Sequence, residues 1–119
     1  MKTLRTFVSA LVLVPMLVTP ALADKRSDAR SEVAFGIDVA QRGLWKEAAY
    51  HWEKATELDP SYGAAWSNLG VGYEQLRKFD DARKAYEKAL EVEPNNTYIR
   101  NNYDLFREIY NRQNRRRDR

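Results

Sequence analysis

Apolar residues between Asp28 and Arg112 recur at helical rather than strand spacing, in five stretches. The first predicted helix runs from about Asp28 to Arg42, with Val33, Ile37 and Ala40 on one face and Gly36 and Val39 beside it. Ser27 or Asp28 is placed to cap it, and Gly43 ends it, because glycine enters the left-handed conformation without a Cβ penalty. The second, Trp45 to Leu58, carries the stripe Trp45, Ala48, Ala49, Trp52, Ala55 and Leu58, with Glu47, Glu53, Lys54 and Glu57 opposite. Asp59-Pro60-Ser61 makes the turn, since proline disfavours α geometry in the residue before it. A third helix over about Tyr62–Leu76 and a fourth over Phe79–Val92 are separated by Arg77-Lys78. No glycine is present there, so a left-handed turn costs ~1 kcal/mol. Glu93-Pro94-Asn95 ends the fourth helix as Asp59-Pro60-Ser61 ends the second. The fifth, Thr97 to Arg112, has a broad face of Ile99, Asn102, Tyr103, Leu105, Phe106, Ile109 and Tyr110, opposed by Arg100, Asp104, Arg107 and Glu108. The pattern predicts an all-α protein. Residues 24–28 are expected to be a polar lead-in, and residues 113–119, ending Arg115-Arg116-Arg117-Asp118-Arg119, a basic disordered tail.

The helical pattern repeats with an offset of 34 residues. Gly36 answers Gly70, Trp45 answers Phe79, Ala48 answers Ala82, Trp52 answers Tyr86, Ala55 answers Ala89 and Pro60 answers Pro94. Two helices pack closely only where small residues stand at the crossing, a role that suits Gly36, Gly70, Ala48, Ala82, Ala55 and Ala89. Trp52, Trp66, Tyr73, Phe79 and Tyr86 then fill the space beside it.

This combination resembles the tetratricopeptide repeat family. In Gly63–Asn96, Trp66, Leu69, Gly70, Tyr73, Ala82, Tyr86, Ala89 and Pro94 occupy the family's signature positions. The unit over 29–62 keeps Gly36, Gly43, Ala48, Trp52, Ala55 and Pro60, but has Glu32, Phe35 and Val39 where the family prefers tryptophan, leucine and tyrosine. The resemblance implies a short right-handed superhelix of two helical hairpins, 29–62 and 63–96, followed by a capping helix at 97–112. In that last unit Arg100, Asp104 and Arg107 replace Trp66, Gly70 and Tyr73, the residues expected to point at their own unit's second helix. Tyr103 stays aromatic and can pack backward. A cap with a wetted outer face accounts for this, and a truncated third repeat without a special role is the alternative. Two repeats and a cap fall below the usual minimum of about three, which leaves self-association open.

The start of the chain has another character. Lys2 and Arg5 precede an apolar run from Phe7 to Val18, and Ala21-Leu22-Ala23 has the small-x-small form of a cleavage site. The run is shorter than the ~20 residues that span a bilayer, and Pro15 and Pro20 interrupt it. Residues 1–23 are therefore expected to be a cleaved export signal, placing the protein in a periplasm, or secreted as the alternative, with no stable membrane anchor. The 119-residue chain has no cysteine, so neither a disulfide framework nor a lipoprotein anchor is available. The leader carries two basic residues and no acidic one, so its removal takes the formal charge from +3 to +1 and weakens the case for an anionic partner.

Candidate chemistry is sparse. His51 is the one histidine and has no second ligand at metal spacing. Asp80-Asp81 complements a helix N-terminus rather than forming a catalytic pair. No phosphate-loop or nucleophile-elbow motif occurs. No catalytic residue, metal or cofactor is expected, and the chain is read as a non-enzyme. The family pattern implies a concave groove lined by Val33 and Ile37, then Ser67, Asn68, Val71 and Glu74, then Asn101, Asn102 and Leu105. That mixed apolar and amide surface suits an extended peptide or short helix of a partner protein. The bland alternative is that Val33 and Ile37 simply pack on neighbouring helices. A clamp for a terminal carboxylate is not implied: Asn68 matches, but Val33 and Tyr98 replace the lysines and Asn102 the arginine. The expected function is a scaffold or adaptor that binds another protein. A self-associating element, or a protein held to anionic surfaces by its arginine-rich end, is the alternative, and nucleic acid is not an expected partner.

Overall fold

The computed structural model describes residues 20–119, which form five helices with no strand among them. They are α1 (Pro20–Gln41), α2 (Trp45–Leu58), α3 (Gly63–Gln75), α4 (Phe79–Val92) and α5 (Thr97–Arg117). The expected export signal lies outside the described residues except for positions 20–23, which belong to α1.

Both outer helices are longer than the pattern predicts. The expected lead-in at 24–28 is helical, so Ser27 and Asp28 are interior residues rather than caps. Arg26 explains why this polar stretch holds: its guanidinium pairs with Asp59, bonds Ser61 Oγ at 3.1 Å and lies 4.8 Å over the Tyr62 ring. At the other end, the expected disordered tail continues α5 to Arg117. Once a helix is nucleated, each further residue adds a hydrogen bond at little cost, and Arg115, Arg116 and Arg117 complement the negative end of its dipole.

The two hairpins close with the same turn. Gly43 has φ +78°, with its N–H to the Ala40 carbonyl at 2.9 Å and the Leu44 N–H to the Val39 carbonyl at 3.1 Å. Arg77 takes φ +60°, with its N–H to Glu74 at 2.9 Å and the Lys78 N–H to Tyr73 at 2.8 Å. This is the Schellman pattern at both ends, and the non-glycine residue carries the backbone strain at the second. Arg77 recovers part of that cost by stacking 5.3 Å over Phe79.

Packing follows the register of 34. α1 packs on α2 and α3 on α4, with α2 against α3 and α4 against α5. Within each hairpin a buried aromatic ring faces a glycine. A Cβ on Gly36 would run into the Trp52 indole, with Cδ1 at 2.8 Å, and one on Gly70 would stand 3.0 Å from the Tyr86 ring. Trp52 also faces the next hairpin, where a Cβ on Gly72 would lie 3.0 Å away, and its N–H donates to the Val33 carbonyl at 3.2 Å.

The cap docks by the same rule. Ile99 and Phe106 are buried, Phe106 lies 5.3 Å from Tyr86, Tyr103 lies 5.9 Å from Tyr86, and Tyr110 lies 6.1 Å from Phe79. Asp104, in register with Gly70, is exposed. Trp66 and Arg100 stand in register too, and each donates to the carbonyl of its preceding proline, Pro60 at 2.8 Å and Pro94 at 3.1 Å. The expectation for Tyr73 needs correction. It packs with both hairpins, and its hydroxyl donates to Glu53 on the preceding α2, so it bridges the repeats rather than serving its own unit alone.

Alanine in place of a helical glycine gains up to ~1 kcal/mol of propensity, whereas overpacking costs ~1–3 kcal/mol. Gly36→Ala is therefore expected to destabilise by about 1–2 kcal/mol, and Gly70→Ala to be near neutral because the Tyr86 ring need move only slightly. Urea unfolding of the two variants checks the order; equal effects would mean the indole does not lie where described.

Candidate protein-binding face

Helices α1, α3 and α5 lie side by side, α1 touching α3 and α3 touching α5. Ile37, Val71 and Leu105 recur at 34-residue spacing and so take the same position on the three helices. Ile37 is 42% exposed and Leu105 is 60% exposed, while Val71 is half-buried against Tyr86 and Phe106. Asn68 and Asn102 are half-buried and Asn101 is exposed. These residues present an apolar line flanked by amides.

Two expected groove residues do not belong to that surface. Val33 and Ser67 are buried, at 6% and 2% exposure, and offer nothing to a partner. Val33 is in the core because Trp52 takes its carbonyl as acceptor and needs the backbone close. For Val33, the alternative of plain packing is the one observed. Ser67 holds its Oγ buried with no hydrogen-bond partner. The sequence carries no sign of this, since a serine in a predicted groove looks polar and wet. Exposed residues the pattern passed over are Tyr98, at 69%, and Ile109, at 41%, on α5.

Glu74 is half-buried and accepts the Tyr86 hydroxyl. Burial raises its carboxyl above the usual range, and the donated hydrogen bond only partly offsets this. Burial first, and Glu74 beside it, push the Tyr86 phenol well up. Both groups keep Glu74 in a structural role beneath the face.

On the outer side of the first hairpin, His51 bonds Glu32 at 2.7 Å, Lys54 reaches the same carboxylate at 3.0 Å, and Phe35 lies 4.5 Å from the imidazole. The His51 hydrogen bond holds the Glu32 carboxyl below its ordinary value, against burial, with Lys54 assisting. The histidine is thus a rim residue satisfied by a neighbour. A cleft of about 690 Å³ lies elsewhere: Lys25, Arg26, Arg30, Glu57 and Ser61 line it between α1 and the α2–α3 turn. Its Asp59 carboxyl is opposed by burial but lowered overall by hydrogen bonds from Ser61 and Arg26. None of the expected groove residues lines that cleft. Among the described residues no group of three or more His, Asp or Glu side chains could hold a metal ion, and no helix is long and apolar enough to cross a membrane.

The family model for the tetratricopeptide repeat matches residues 63–96, the hairpin α3–α4 with its closing turn. The structure resembles that of the Sgt2 TPR domain from Aspergillus fumigatus, with a TM-score of 0.62 over 82% of this chain and 83% of that one, at 22% identity. The chain belongs to the tetratricopeptide repeat family. Its tetratricopeptide repeats are similar to an uncharacterised protein of Methanocaldococcus jannaschii, MJ0572, at 32% identity over 58% of this chain and 80% of that protein. The heat-shock cognate co-chaperone sgt12 of Aspergillus fumigatus is 42% identical over 44% of this chain, which spans 16% of it. The type IV pilus assembly protein PilF of Pseudomonas aeruginosa is 34% identical over 73% of this chain, which spans 35% of it. The tetratricopeptide fold and the co-chaperone relative support a protein–protein interaction module.

Because Glu74 has a raised folded-state value, it binds its proton more tightly folded than unfolded, and stability is lost as pH rises through that value. Glu74→Gln keeps an acceptor for Tyr86 without the charge. It is expected to raise Tm at pH 7, with the advantage fading toward about pH 4, where the unfolded carboxyl also protonates. A thermal melt series across pH checks the sign; a variant less stable at every pH would contradict it.

Proposed function

We propose that the protein is a non-enzymatic scaffold that holds a peptide or short helix of another protein along the α1–α3–α5 face. The observation that carries this is the exposure of Ile37 and Leu105 at equivalent positions of α1 and α5, on either side of the half-buried Val71. Ile109 and Tyr98 widen the apolar area on the cap, and Asn68 and Asn101 supply donors and acceptors for a ligand backbone. Exposed apolar residues flanked by amides have no role in holding this fold, since the core closes beneath them. The leader-like residues 1–23 support export, and the likeness to a pilus assembly protein supports a role in assembling an envelope structure. The co-chaperone relative supports the same class of partner, a protein segment.

Leu105→Arg tests the face without touching the core, whereas Val71 is packed and its substitution would report on folding instead. A photo-crosslinker at Ile37 in native extract should trap a discrete protein, and one at exposed Lys84 on α4 should not. In the Leu105→Arg background the Ile37 adduct should fall at least about tenfold with helicity unchanged, as expected for one buried charge in an apolar contact. Retention of the adduct in the folded variant, or an equal adduct from Lys84, would contradict the assignment.

A further inference from the structure

The register of 34 exposes a second surface, separate from the binding face. In α3 the positions Ala65, Leu69, Gly72 and Leu76 press onto the hairpin before them; Ala65 and Leu69 are buried, and Gly72 meets Trp52. In α5 the same positions are Ile99, Tyr103, Phe106 and Tyr110, again docked on the preceding hairpin. In α1 they are Ser31, Phe35, Asp38 and Arg42, and all four are exposed, Phe35 by 53%. A stripe that buries its apolar residues wherever it recurs is open on the first hairpin, with its one large ring resting on His51.

We infer that this stripe of α1 docks on the same stripe of a second copy, the two helices antiparallel and crossing at Phe35. The order of charges selects this occupant. A two-fold contact must be self-complementary, each residue meeting the one as far from the centre in the other direction. Asp28 stands seven residues before Phe35 and Arg42 seven residues after it. Both are exposed, so the crossing sets Asp28 of each copy against Arg42 of the other, twice per dimer. Glu32, the residue three before Phe35 that would otherwise meet Asp38, is turned toward His51 and Lys54 and stays off the contact. Within one copy Arg42 lies 4.0 Å from Asp38, on the surface, and can leave it. The groove residues lie on another side of α1, so the pairing leaves the proposed binding face open and does not depend on it.

Sedimentation of the full chain and of a chain lacking residues 1–19, over roughly 1–500 µM, tests the pairing. A concentration-dependent dimer is expected from both. Asp28→Arg alone and Arg42→Asp alone should each weaken it on the order of tenfold, since two pairs turn repulsive per dimer. The double variant Asp28→Arg/Arg42→Asp should restore it, which no loss of folding can imitate, and circular dichroism verifies helicity in all four. A monomer throughout would overturn the inference, as would single reversals without effect or a double variant that stays apart. Pairing only in the chain lacking residues 1–19 would also overturn it, because that segment and not a second copy would then cover the stripe.

Discussion

An indole wedged against two glycines holds the first hairpin together and sets how the second one joins it. Trp52 lies over Gly36 in its own hairpin and against Gly72 in the next, and donates its N–H to Val33 between them. Three helices therefore share one side chain. The backbone of α1 comes close enough for that hydrogen bond only because Gly36 lacks a Cβ, and α3 can slide over the ring only because Gly72 does too. Thirty-four residues on, the arrangement recurs with a smaller ring and a larger neighbour: Tyr86 faces Gly70, and Phe106 stands where Gly72 stood. A ring fills each joint while its partners change, as close-packed interiors require.

That constraint separates the molecule's surfaces. Residues aimed at the wedge become core, whatever they look like in the sequence, and residues one step round the helix become face. Ile37 and Leu105 are left exposed because Val33 and Phe106 have taken the inward positions. The charged positions of the cap, Arg100, Asp104 and Arg107, stay wet because no helix among the described residues brings an aromatic to cover them. Buried and exposed apolar positions thus occupy adjacent rows of the same three helices, and a substitution in one row need not disturb the other.

Most of this was legible in the residues. Small residues and rings in phase at 34 point to the two hairpins, the cap and the docking of Tyr103, and the break at Arg77-Lys78 calls for a left-handed residue with no glycine to supply it. Elsewhere local chemistry misled. Polar residues at 24–28 look like a frayed start, yet Arg26 finds Asp59, a contact 33 residues distant that no local pattern contains. The arginines at 115–117 look disordered by composition, yet they extend a helix already nucleated. The place of Val33 and Ser67 in the repeat points them outward, but the first hairpin has a tryptophan at position 52 whose indole draws α1 inward, and Ser67 is enclosed with no partner for its hydroxyl. Periodicity fixes which face a residue is on; it does not say how far a particular large neighbour tilts that face.

The wedge is tested most directly by a double-mutant cycle between Gly36 and Trp52, read by equilibrium unfolding. The atoms that a Cβ on Gly36 would meet belong to the five-membered side of the indole, Nε1, Cδ1 and Cε2, which phenylalanine lacks. The cost of Gly36→Ala should therefore largely disappear in the Trp52→Phe background, a coupling of about 1 kcal/mol or more. Additive costs, with no coupling between the two positions, would contradict the account.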